Sequence, residues 1–199
     1  MTTEEKAKAE RFSLYVLSEE AWFRKANELI AAMELLEPRI KKFWECVGIA
    51  GIVNGINSEA EPEHDLINVH MMLAGFAIEN LCKGHLAKRL SPSQREKVKH
   101  KGLPERLKTH KILSLLARAK MTLSDAEEDL VDRIHKTIAW RGRYPAPISH
   151  EEIVPFAQGD SDVYKIKALL QKLRAHVGAK DSYRCQDPNV IRVAPWRPD

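Results

Sequence analysis

The chain has 199 residues, 44% apolar and 30% charged, with a formal net charge of +4. That length buries a core without disulfide staples, and that composition excludes wholesale disorder. No run of about 18 apolar residues offers a membrane span, and the polar, charged stretch Met1–Arg11 lacks the apolar core of a secretory signal, so a cytoplasmic protein with no membrane partner is expected.

The first long helix is expected from about Ser18 to Leu36. Ser18 serves as N-cap, Glu19 and Glu20 complement the dipole in the first turn, and Leu17 and Trp22 have the spacing of a hydrophobic staple. Trp22, Ala26, Leu29, Ile30 and Met33 draw one apolar stripe, and Pro38 marks a stop or a kink. Val47–Ile56 is apolar but broken by Gly48, Gly51 and Gly55, and reads either as a closely packed glycine-rich helix or as a loop. A second long helix, about Glu63 to Leu90, carries Val69, Leu73, Phe76 and Ala87 on one side and Ile67, Met71, Ala74 and Ile78 nearly opposite, the pattern of a central helix or of one serving both a core and a subunit interface. Asn80 projects onto the first of these faces, where its amide needs a hydrogen-bond partner.

A short helix is expected over about Thr109–Ala119, with Ile112, Leu113, Leu115 and Leu116. Ser124 and Glu127 then form a capping box ahead of the stripe Leu130, Val131, Ile134 and Ile138, which Gly142 and Pro145 end. A last helix opens near Asp160 or Ser161 and carries Val163, Ile166, Leu169, Leu170 and Leu173. No alternating strand pattern and no repeat is visible. The expected fold class is all-α, with about five helices over residues 1–177. Residues 178–199, with Pro188, Pro195 and Pro198, read as an irregular extension packed on the surface and anchored by Trp196.

Charge is segregated. From Lys83 to Lys120 twelve Lys/Arg are opposed only by Glu96 and Glu105, a local balance of +10, so the rest of the chain sums to −6. Such a field attracts phosphate backbones and is sensitive to salt. Lys88, Arg89, Arg95, Lys97, Lys99, Lys101, Arg106 and Lys108 are the candidate nucleic-acid contacts, with Arg141 further on, and His85, His100 and His110 stand to add charge in mild acid. No Phe, Tyr or Trp interrupts the stretch, so backbone contact rather than base stacking is implied. A solvated face, or a patch that receives an acidic partner protein, is the other reading.

Reaction signatures are sparse. No P-loop, GxGxxG, GxSxG or HExxH occurs. Glu79, Cys82 and His85 fan over about 120° of a helix and do not converge on one ion, and His64 and His70 point apart. No metal or cofactor is expected. Cys46, Cys82 and Cys185 are widely spaced without a CxxC and read as reduced, buried thiols. The segment Trp140-Arg141-Gly142-Arg143-Tyr144-Pro145, followed by His150, places two guanidiniums beside two aromatics. It suits either an anion or nucleotide contact, or a helix C-cap made by Arg141.

The run His-Met-Met-Leu-Ala-Gly-Phe-Ala-Ile-Glu-Asn-Leu-Cys-Lys-Gly-His-Leu-Ala-Lys-Arg at 70–89 resembles the A-x-E-x-x-L-K-x-x-L helix of HEPN-domain proteins. The basic stretch after it, the short helix opened by Thr109-His110-Lys111-Ile112-Leu113 and the long helix ending in Trp-Arg-Gly-Arg-Tyr-Pro extend the likeness over about residues 65–177. The resemblance implies an up-and-down helical bundle, commonly homodimeric, in prokaryotic defence or toxin–antitoxin settings. Many members are metal-independent RNA nucleases that use an Arg, a polar residue, four to six further residues and a His. Arg143 and His150, with six residues between them, occupy that spacing. The chain departs from the pattern in having Tyr144 after the Arg, and in Pro145 and Pro147, which break the helix that carries the pair. The resemblance therefore implies a catalytically degenerate module that binds RNA or a nucleotide-bearing partner. Its alternatives are an endoribonuclease in which His150 moves the proton and Arg143 stabilises the phosphorane, and a dimeric protein-interaction scaffold.

Overall fold

The computed structural model describes residues 2–52, 64–143 and 159–180. All regular structure among them is helical, in eight α-helices and one π-turn, and none of these helices is long and apolar enough to cross a membrane.

Helix α1 (Thr3–Leu17) lies where only a polar start was read. Its origin is local: the Thr2 hydroxyl accepts from the Glu5 amide and the Glu5 carboxylate accepts from the Thr2 amide, a capping box. Ser18 is extended and separates it from α2 (Glu19–Ile52), while its hydroxyl accepts from the Ala21 amide at 3.2 Å. Helix α2 continues past Pro38. Proline costs a helix one hydrogen bond, and here the packing beyond it holds the helix together: Ile40 is buried with Ile67 and Val163, flanked by Leu36, Trp44 and Leu66.

Helix α3 (Ile67–Lys88) is the centre of the molecule, with fifteen of its 22 residues buried. Ile67, Met71, Ala74 and Ile78 are sealed completely, and Leu73 and Phe76 are partly buried against the core. Asn80 meets its need within its own helix, donating to the Phe76 carbonyl at 2.7 Å. Two glycines allow neighbours to approach closely. A Cβ on Gly75 would fall 2.1 Å from Ile138 Cδ1, and one on Gly84 would fall 2.7 Å from the Phe23 ring. Nine residues apart, they face opposite sides of the helix.

The stretch between α3 and the Ser124 capping box is not a bare linker. It holds α4 (Pro92–Lys101), α5 (Glu105–Lys108) and α6 (Ile112–Arg118). Ser91 and Gln94 form another capping box, with Pro92 at the first helical position, and Gly102 closes α4 at φ +76°, a conformation that favours glycine. Val98, Leu107, Ile112, Leu115 and Leu116 insert into the main core. Helix α6 is the short helix expected over about Thr109–Ala119, and α1, α4 and α5 raise the count to eight among the described residues against the five or so expected.

Helix α7 (Asp125–Lys136) starts on the predicted Ser124–Glu127 box and continues as a π-turn, Thr137–Arg141. Helix α8 (Ser161–Val177) ends at Gly178, which is left-handed. Arg133 of α7 grips the buried Asp162 of α8 with two hydrogen bonds of 2.7 and 3.1 Å. Cys82 is buried as expected, whereas Cys46 is exposed, because α2 beyond Pro38 turns that position outward. Cys185 and most of the expected C-terminal extension lie outside the described residues.

Candidate nucleic-acid interface

The basic segment wraps the C-terminal end of α3, and many of its charges are already engaged there. Arg95 closes that end: its guanidinium donates to the carbonyls of Leu90, Ala87 and Lys88 at 3.1, 3.3 and 2.9 Å, where the helix dipole favours a cation. Lys88 pairs with Glu19 at 3.0 Å, Lys99 with Glu96 at 2.9 Å and Lys108 with Glu105 at 2.5 Å. Hydrogen bonding from Lys99 holds the Glu96 carboxyl below the usual range. Arg106 donates to the Gln94 side chain at 3.1 Å, and Arg118 to the Arg106 carbonyl at 3.2 Å.

What remains is a smaller set. Arg89, Lys97, Lys101, Lys111 and Lys120 are exposed, and among the described residues no carboxylate lies within ion-pair distance of them. Lys97 and Lys101, four residues apart on α4, share one stripe of the helix.

Beneath this surface lies a buried polar cluster that no spacing argument singled out. The Glu79 carboxylate, buried in α3, accepts from Lys83 Nζ at 2.7 Å and sits 3.0 and 3.1 Å from His110 Nδ1. Lys83 is buried as well and lies 5.9 Å from the centre of the Trp22 ring, whose Nε1 donates to the Val16 carbonyl. Lys83 therefore counts toward the local charge in composition but is neutralised within the fold. Burial, with help from Glu79, pushes the neighbouring Cys82 thiol up to about 12, which leaves it an inert apolar group. The i,i+4 spacing of Glu79 and Lys83 was visible in the sequence; the approach of His110 was not.

The histidines of the segment differ. His100 and His110 are exposed, but His85 is buried, and burial lowers its pKa, with Arg89, His176 and Lys88 acting in the same direction. Its ring lies 5.8 Å from that of His176, whose Nε2 is 2.9 Å from the Ala119 carbonyl.

The Trp140–Arg143 corner stands elsewhere. The Gly142 amide donates to the Thr137 carbonyl at 2.8 Å, the bond of the π-turn, and a Cβ on Gly142 would fall 2.8 Å from Met72 Cβ. That contact fixes the corner beside the N-terminal half of α3. Met72 and Ala87 are fifteen positions apart, about 22 Å along a helix, so Arg141 and Arg143 do not join the Arg95 end. Arg143 donates to the last-turn carbonyl of Ala139 at 2.8 Å. Arg141 is half-buried. His150, Tyr144 and Pro145 lie outside the described residues, so the Arg143–His150 pair has no observed geometry.

Among the described residues no group of three or more His, Cys, Asp or Glu side chains is arranged to hold a metal ion. Comparison with family models, curated proteins and solved structures finds no match to this chain.

Proposed function

We propose that this protein is a HEPN-like, catalytically degenerate helical module that binds RNA or a nucleotide-bearing partner through phosphate contacts, as a homodimer in a prokaryotic defence or toxin–antitoxin setting. The observation that carries the reading is the residue left after every internal pairing is counted. Arg89, Lys97, Lys101, Lys111 and Lys120 face solvent on one segment with no carboxylate partner among the described residues, while the paired cations hold that segment in place. Unneutralised cations on a segment free of stacking aromatics suit a phosphate backbone rather than bases. The endoribonuclease alternative would use Arg143, which stands by the N-terminal half of α3, with His150, which lies outside the described residues.

Five phosphate contacts on a single strand imply a slope of log affinity against log salt of about −3.5. Binding of a mixed-sequence RNA, followed by fluorescence anisotropy, should therefore weaken roughly 100-fold between about 50 and 200 mM salt. Joint replacement Arg89→Glu, Lys97→Glu and Lys101→Glu should abolish it. Absence of binding at the lower salt, or a triple variant that binds as well as the parent, overturns the reading; binding of an acidic protein in place of RNA would transfer the surface to the scaffold alternative.

A further inference from the structure

His70 lies in the first turns of α3, is 1% exposed, and neither of its ring nitrogens has a hydrogen-bond partner among the described residues. A buried imidazole with an unmet donor and an unmet acceptor is costly, and such groups are rare in folded proteins unless something else occupies the space beside them. That space exists. A cavity of about 50 Å³ opens between α2, α3 and α8, and His70 lines it. Met33, Val163 and Leu170, all buried, supply apolar walls beside His70, while Glu34, Glu37, Lys167, Gln171 and Arg174 complete the lining, Glu37 and Lys167 3.7 Å apart.

Size and polarity restrict the occupant. A cavity of about 150 Å³ takes a benzene ring, so this one excludes aromatic rings and admits only a few heavy atoms. Apolar walls penalise a buried charge, and burial lowers the His70 pKa to about 4, so the imidazole itself is neutral. A neutral group that both donates and accepts satisfies whichever tautomer His70 presents.

We propose that this cavity is a small-molecule site that takes the carboxamide or hydroxyl end of a slender ligand, hydrogen-bonded to His70, with the rest of the ligand leaving past Glu34, Glu37 and Lys167. The site stands on α2, α3 and α8 and is independent of the phosphate-binding reading.

The test uses the full chain with isotope-labelled histidine rings, titrated with acetamide and with ethanol, and with acetate and methylammonium as charged probes of similar size. The expected result is a saturable shift of the His70 ring resonances by acetamide, half-saturating near about 10 mM, an ordinary affinity for four heavy atoms, with the charged probes silent. His70→Phe identifies the resonances. Val163→Leu, which fills part of the cavity and keeps the histidine, should weaken acetamide roughly tenfold. A shift that never saturates, equal shifts from acetate, or a cavity that holds water and no probe would each overturn the assignment.

Discussion

The buried carboxylate of Glu79 sits 3.0 Å from Nδ1 of His110, joining the middle of α3 to the turn before α6 across 31 positions of sequence. The same carboxylate neutralises Lys83 at 2.7 Å. Glu79→Ala would leave a buried ammonium without its counter-charge, and the expected loss is about 3–5 kcal/mol in urea unfolding. Adding Lys83→Met to that variant should recover at least half of it, because no ion then remains in the core. His110→Ala should cost less than about 1 kcal/mol, since its ring is mostly exposed.

Arg133 and Asp162 form the corresponding lock between α7 and α8, with Asp129 as an outer partner at 3.1 Å. Asp162→Ala is expected to destabilise by about 3–5 kcal/mol, and the joint change Arg133→Met with Asp162→Leu by far less. A double-mutant cycle on thermal or urea unfolding checks the coupling. A double variant whose loss equals the sum of the two single losses would show that the pair is not coupled.

Gly75→Ala should be destabilising by about 1–3 kcal/mol, since the added methyl meets Ile138 and Ile134. Joint replacement Gly75→Ala with Ile138→Ala should relieve the clash in part. Gly159→Ala, where the methyl meets nothing within 4 Å, is the control and should unfold like the parent.

Burial lowers the His70 pKa from 6.5 to about 4. Between those values the unfolded chain takes up a proton that the folded state refuses. The stability contributed by the neutral ring is therefore complete above about pH 6.5 and declines as pH falls toward 4, by about 3 kcal/mol in total. His85 is shifted in the same direction and adds to the decline. Unfolding midpoints measured from pH 7 down to pH 4.5 should fall for the parent and fall less for His70→Leu.

Arg95 and Lys97 are neighbours in sequence and opposites in role. Arg95→Ala removes three bonds to the end of α3 and should lower the melting temperature. Lys97→Ala should leave the melting temperature unchanged and make the salt slope of RNA binding shallower by about 0.7.

Sequence alone determined that the chain is helical, that one helix opens on the Ser124–Glu127 capping box, and that positive charge gathers between Lys83 and Lys120. These are local properties: a capping box spans three residues, an apolar stripe repeats every three or four, and charge adds along the chain whatever the fold. The tertiary structure decided the rest. It carried α2 through Pro38 because Ile40 finds Ile67 and Val163, added α4 and α5 ahead of the short helix expected at α6, and turned Cys46 outward. It also sorted the positive segment, spending Lys83 on Glu79 and Arg95 on the end of α3 and leaving Lys97 and Lys101 to solvent. Such sorting depends on which residues, distant in sequence, arrive within about 3 Å, and only packing sets that. The buried His70 and its cavity belong to the same class, since three helices must meet before either exists.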